Sequence, residues 1–305
     1  MHRRFRGWTT QGRGWWSLRR VGRRNRCGPS RILEQSRCGS HLSNLDHPDL
    51  QRRWFPICGR HDVPVEHVFE TELLGHELAV WRGQRGNVNV WENRCPHRGM
   101  RLSMGANLGG ELRCAYHGYR FADGSGLCTS VPALPDRLPP RSLCIKVYPM
   151  LERGGLIWTR LVADEPASEL LPSLMASSLV LYSVAIHSAV LAVGTLLAGY
   201  RFRPSATLLG PESADERCST SALDAYSFRS VASKGRVTTE VRLFTQPVDA
   251  QCTVVHGFLL GDIAEQQRLP TLRHHALKLI RLREASERRG SASNSDPQEH
   301  NGQSQ

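Results

Sequence analysis

Four residues in this 305-residue chain are of types and at spacings that could do redox chemistry. They lie in Cys95-Pro96-His97-Arg98-Gly99 and Cys114-Ala115-Tyr116-His117-Gly118. The pattern is C-x-H, sixteen intervening residues, then C-x-x-H. Soft thiolates suit buried ferric iron, and neutral imidazoles lower the negative charge of an iron–sulfur centre. Two Cys on one iron and two His on the other make a [2Fe–2S] cluster whose potential lies above that of an all-Cys cluster. Structural zinc is the alternative. Zinc ribbons and fingers space their paired ligands more widely than C-x-H allows. Gly99 and Gly118 each stand within two residues of a candidate ligand, where a loop must turn sharply.

Cys95-Pro96-His97-Arg98-Gly99 followed by Cys114-Ala115-Tyr116-His117-Gly118-Tyr119-Arg120-Phe121 resembles the Rieske domain of ring-hydroxylating oxygenases. Phthalate dioxygenase and vanillate O-demethylase oxygenases are of this kind. The family usually has Pro and Trp where this chain has Ala115 and Tyr119. The respiratory bc-type Rieske subunit has an extra Cys in each ligand loop, and these neighbourhoods have none. The resemblance implies Cys95, His97, Cys114 and His117 as cluster ligands. It also implies a reductase or ferredoxin as electron donor, O2 as oxidant, a small aromatic substrate and a homotrimer.

The elements that must position these residues can be read from alternation and turn residues. Trp54-Phe55-Pro56-Ile57-Cys58 opens the ordered chain. Val65 to Leu74 alternates as a strand, and Gly75-His76 marks a turn. Leu78–Trp81 and Val88–Trp91 flank Gly83-Gln84-Arg85-Gly86 as a hairpin. Residues 132–140 are Pro-rich and expected to run extended. Cys144 to Tyr148 and Leu156 to Thr159 are expected to close the domain around Glu152-Arg153-Gly154-Gly155. Residues 51–162 are thus expected to form a small antiparallel β domain with two cluster loops.

The second half is less regular. Leu170 to Tyr200 contains no Asp, Glu, Lys or Arg. Its length could span a bilayer, but scattered Ser and Gly favour one or two buried helices. Val237–Phe244 and Cys252–Leu260 read as a hairpin around Pro247-Val248-Asp249-Ala250. Leu243-Phe244-Thr245-Gln246-Pro247-Val248-Asp249 resembles the helix-grip catalytic domain of the same oxygenases. Leu272–Glu287 reads as a basic amphipathic helix. The fold class expected is α+β: an antiparallel Rieske domain, then a degenerate or truncated helix-grip domain over 163–289. Residues 1–50 are expected to be a disordered basic extension, and 290–305 a disordered tail.

The resembled oxygenases pass electrons to a mononuclear Fe(II) held by two His and one carboxylate, leaving positions open for O2. Its motif, an acidic residue and Asp followed by two spaced His, is not found here. The region where it belongs contributes only His187, expected to be a satisfied buried histidine. Downstream stand His256, the adjacent pair His274 and His275, and His300; Asp262 is a weak match for the family's late carboxylate. Catalytic residues are therefore unassigned. The alternative function is a Rieske electron-transfer or binding protein without oxygen chemistry.

The net charge of +12 looks like a nucleic-acid signal until it is located. Residues 1–53 hold thirteen Arg against Glu34, Asp46 and Asp49, leaving about +2 for the rest. The excess belongs to the amino-terminal stretch, which also resembles an Arg-rich, acid-poor transit sequence. Nine Cys is not a disulfide density for this length, and a reducing cytoplasm fits.

Overall fold

The computed structural model describes residues 47–163 and 178–293. In the first stretch the chain runs through α1 (Pro48–Arg52), β1 (Phe55–Gly59), β2 (Val68–Leu73), β3 (His76–Arg82) and β4 (Val88–Glu92). Short strands β5 (Ala106–Asn107), β6 (Glu111–Arg113), β7 (Arg120–Ala122) and β8 (Cys128–Ser130) follow. Then come β9 (Met150–Arg153) and β10 (Leu156–Thr159). In the second stretch are β11 (Ser178–Val180), β12 (Val184–Ile186), α2 (Val190–Ala198), β13 (Arg217–Asp224), β14 (Ser227–Lys234), β15 (Val237–Asp249), β16 (Cys252–Leu260) and α3 (Glu265–Ser293). The class is α+β, as expected.

The first stretch makes three antiparallel sheets, ordered β1-β10-β9, β2-β3-β4 and β5-β6-β7-β8. The expected hairpin at 78–91 is β3–β4, with Val80 opposite Val90. Trp81 and Trp91 meet edge to face at 4.9 Å, in a core that includes Cys95 and Cys114. A buried aromatic pair of this kind holds the base of both cluster loops. The turn joining β2 to β3 is Leu74-Gly75, with φ of 52° and 80°. A two-residue hairpin turn with both φ positive matches the strand twist, but it strains a leucine. The Leu74 N–H donates to the Pro247 carbonyl (2.8 Å) and the Gly75 N–H to that of Val248 (2.7 Å), so β15 holds the turn.

The second stretch makes one antiparallel sheet, ordered β11-β16-β15-β14-β13, with β12 also on β16. Fifteen buried residues, among them Leu181, Ile186, Phe202, Phe228, Val241 and Leu279, form the core between this sheet and helices α2 and α3. The two stretches meet through a buried polar chain. The Gln246 amide nitrogen donates to the Thr71 hydroxyl (3.1 Å) and the Glu72 carbonyl (2.6 Å). Its oxygen must then accept from His256 Nε2 (2.7 Å), which leaves Nδ1 to accept from the Ser183 hydroxyl (2.8 Å).

Several expectations need correction. Residues 48–50 belong to α1 rather than to an extension; residues 1–46 lie outside those described. Cys144–Tyr148 makes only single bridges, Leu127 to Cys144 and Trp91 to Val147, and Met150–Arg153 is the true partner of β10. The Pro-rich stretch does not run extended. It turns, with Leu134 N–H donating to the Val131 carbonyl and Arg137 N–H to that of Leu134. The uncharged run is not a helical pair over its described part; β11 and β12 pair with β16, and only α2 is helical. β-Branched and apolar residues there fit an open sheet edge as well as a helix, and tertiary pairing decides. Among the described residues no helix is long and apolar enough to cross a membrane. Pro247–Asp249 lies inside β15, so the turn of that hairpin is Ala250-Gln251. Helix α3 continues through Gly290–Ser293, and 294–305 lie outside the described residues.

Burial pushes His256 and His275 from 6.5 down to about 3. Their folded values lie below the unfolded one, so the unfolded chain takes up protons first. Their neutral burial is harmless above pH 6.5 and becomes destabilising as pH falls below it, by about 1.4 kcal/mol per pH unit for each histidine. Urea midpoints should therefore drop steadily between about pH 6.5 and pH 4.5. Midpoints that do not change over that range would contradict the burial of two neutral imidazoles.

Candidate metal centre

The first cluster loop follows β4 and leads to a short helical turn at Leu102–Met104, and the second joins β6 to β7. In the first, the Cys95 N–H donates to the Met100 carbonyl (2.8 Å), and the Gly99 N–H returns to the Cys95 carbonyl (2.8 Å). In the second, the Cys114 N–H donates to the Tyr119 carbonyl (2.8 Å), and the Gly118 N–H returns to that of Cys114 (3.2 Å). The same turn is built twice. Both glycines, four residues after their Cys, have φ near +70° (70° and 71°), which a side chain would strain.

The turns sort the four side chains by depth. Cys95 and Cys114 are 3% and 2% exposed, in the core under Trp81 and Trp91. His117 is exposed and His97 half-buried. Their rings stand 4.8 Å apart. Tyr119 stacks on His97 at 4.5 Å, nearly parallel, and Tyr116 packs on His117 at 3.7 Å. Burial pushes the Cys95 thiol up to about 11, and the neighbouring Cys114 thiol adds to the effect. A Cys95 thiolate thus gains from a metal that stabilises it.

Outside the loops, Asn93 and Ser103 brace the first from behind: the Asn93 amide donates to the Ser103 hydroxyl (3.0 Å) and accepts from the Ser103 N–H (2.8 Å). Arg101 pairs with Glu77 of β3. Neither the brace nor the Tyr119 stack was expected from spacing. The only cue was an aromatic two residues past His117.

Among the described residues, no three His, Cys, Asp or Glu side chains converge as one metal ion would require. The four candidates form a pair of buried thiols below a pair of outer imidazoles. This donor set, soft pair inside and neutral pair outside, fits a two-iron cluster held one pair to each iron. Residues 53–149 match the family model described as "Rieske [2Fe-2S] domain". The chain carries a Rieske domain.

The comparisons extend this. Over 109 residues the chain is 53% identical to Oxidoreductase NdmD of Pseudomonas putida, a match covering 36% of this chain and 18% of that protein. It is 33% identical over 126 residues to the 5,5'-dehydrodivanillate O-demethylase oxygenase subunit of Sphingobium sp. (strain NBRC 103272 / SYK-6), covering 40% and 29%. The chain thus spans less than a third of the length of these relatives. A solved structure of Pseudomonas putida CBB5 NdmA, a QL mutant with theobromine, superposes with a TM-score of 0.59 at 18% identity, over 84% of this chain and 86% of that one. The domain over residues 53–149 implies a [2Fe–2S] cluster, and the superposition shows a shared fold.

A mononuclear iron fits less well. His187, expected to be buried, is exposed just after β12. A loop leaving an edge strand turns it to solvent. His256 has both ring nitrogens engaged, by Ser183 and Gln246. His274 Nε2 accepts from the Arg203 N–H (3.2 Å), and His275 Nδ1 bonds the Tyr200 hydroxyl. Adjacent on α3, the last two point apart, with rings at 81°. Asp262 has an interaction of its own. His300 lies outside the described residues. The described residues do not assemble a 2-His-1-carboxylate site.

Replacing Cys114 by Ser should abolish bound iron and sulfide. Replacing His117 by Cys should retain a cluster but lower its potential, on the order of a hundred millivolts or more, toward the all-Cys range. Redox titration of the variant would read this, and an unchanged potential would exclude His117 as a ligand. Gly118→Ala should destabilise more than Gly99→Ala. A Cβ at 118 would meet Pro132 Cγ at 3.2 Å, whereas 99 faces open space. Both share a left-handed penalty of about 1–2 kcal/mol, so their melting temperatures should rank accordingly.

Proposed function

We propose that the chain is a Rieske iron–sulfur oxidoreductase on the terminal-oxygenase scaffold, with Cys95 and Cys114 holding one iron and His97 and His117 the other. When bound, the cluster supplies one-electron redox chemistry. One observation carries this reading: the thiols are buried while the imidazoles face outward in a ring pair. Cys95 and Cys114 exclude water from one side of the centre. His97 and His117 present the other side to a protein donor, a reductase or ferredoxin. Tyr119 fixes the plane of His97, and Tyr116 packs on His117, so neither imidazole is free to swing away.

The relatives suggest an aromatic substrate that is hydroxylated or demethylated with O2, and the resemblance of the ligand loops to ring-hydroxylating oxygenases implies a trimeric assembly. The commitment of both His256 nitrogens to Ser183 and Gln246 favours a second reading, in which the chain passes electrons to a protein partner and performs no oxygen chemistry itself. The boundaries 51–162 and 163–289 serve both readings as functional halves.

Iron and acid-labile sulfide per chain, on anaerobically purified full-length protein, separate the two. About two irons and two sulfides, with a Rieske-type EPR signal on reduction, are expected for the cluster alone. A third, chelatable iron together with substrate-dependent O2 uptake would establish the oxygenase reading. Zinc without sulfide would sink both.

A further inference from the structure

A cavity of about 370 Å³ lies between β1 and β10 on one side and β14 and β15 on the other. None of its lining residues belongs to the cluster loops. Its walls include Trp54, Trp158, Phe244 and Tyr226, with Arg53 and Arg160 among them. Arg160 is 6% exposed. Its guanidinium lies over the Trp54 ring, 5.1 Å from the centroid. Among the described residues no carboxylate pairs with it. Arg53 differs: Asp224 holds it at 2.7 Å.

Three buried atoms at this cavity lack a hydrogen-bond partner among the described residues: Arg160 Nε, Arg53 Nε and the Trp54 indole Nε1. All three are donors, and donors cannot satisfy one another. A buried guanidinium without a counter-charge is unfavourable, and so is each unmet N–H. Asp49 and Asp224 also line the cavity, but Asp224 is held by Arg53 and neither pairs with Arg160, so a complementary ligand must bring acceptor oxygens and negative charge to Arg160. The aromatic walls call for a flat apolar body beside them.

We propose that this cavity binds a small aromatic carboxylate. The carboxylate would accept from Arg160 and the Trp54 indole, and the ring would lie against Trp158 and Phe244. The site needs neither the cluster's electrons nor O2, so it does not depend on the function proposed above.

The test is calorimetric titration of the full-length, cluster-loaded protein with benzoate, under anaerobic conditions and without reductant. Saturable binding of one benzoate per chain is expected. Benzyl alcohol, which lacks the charge, and inorganic phosphate, which lacks the ring, should each bind at least about tenfold more weakly. Arg160→Gln should weaken benzoate by about tenfold or more. Trp54→Phe keeps a ring but removes the indole N–H, and should weaken it a few-fold. Circular dichroism and iron content verify folding; if Arg160→Gln does not fold, Trp54→Phe and the ligand series decide. No saturable benzoate binding would overturn the proposal. So would phosphate binding as tightly as benzoate, or benzoate affinity unaltered in the folded variants.

Discussion

Two thiols must be kept dry while two imidazoles, only a few residues away, are kept wet. The local structure of the first half follows from that constraint. A chain can meet it only by turning back on itself within five residues, which is why both loops close from the Cys N–H to the carbonyl five positions on. The left-handed glycine at the fourth position makes such closure affordable. The Trp81–Trp91 pair seals the floor, and Tyr119 fixes one outer ring. The donor set is therefore arranged by backbone geometry.

Much of the first half was legible in the sequence because its signals are local. C-x-H and C-x-x-H name the ligands, alternation names β3 and β4, and Gly154-Gly155 marks the turn before β10. What escaped depends on contacts between distant residues. Val147 bridges Trp91, so Cys144–Tyr148 is only brushed by a neighbouring strand rather than paired along its length. Prolines at 132–140 fix φ, but that value serves turns as well as extended chain. The described part of the uncharged run before Tyr200 forms two short strands and a helix, and composition does not distinguish the two. Arg160 carried no signal at all. It lies in an ordinary stretch of sequence, and only the walls that surround it make its missing counter-charge visible.

The second half contributes in a different way. Its histidines are used as structural hydrogen-bonding groups: His256 joins Ser183 to Gln246, and His275 binds Tyr200. His256, with both nitrogens committed in a dry interior, has no lone pair to offer a metal. Among the described residues no three His, Cys, Asp or Glu side chains of this half converge on one metal ion.

The Leu74-Gly75 turn has an evolutionary consequence. A leucine in a left-handed turn is tolerated because carbonyls of Pro247 and Val248, some 170 positions away, accept its N–H groups. Gln246, their neighbour, grips the strand leading into that turn. The hairpin beneath the cluster loops is thus completed by residues from the far end of the chain. Selection acting on the redox centre alone would therefore also bear on β15, because the part of the fold that carries the centre is not built to stand without that strand.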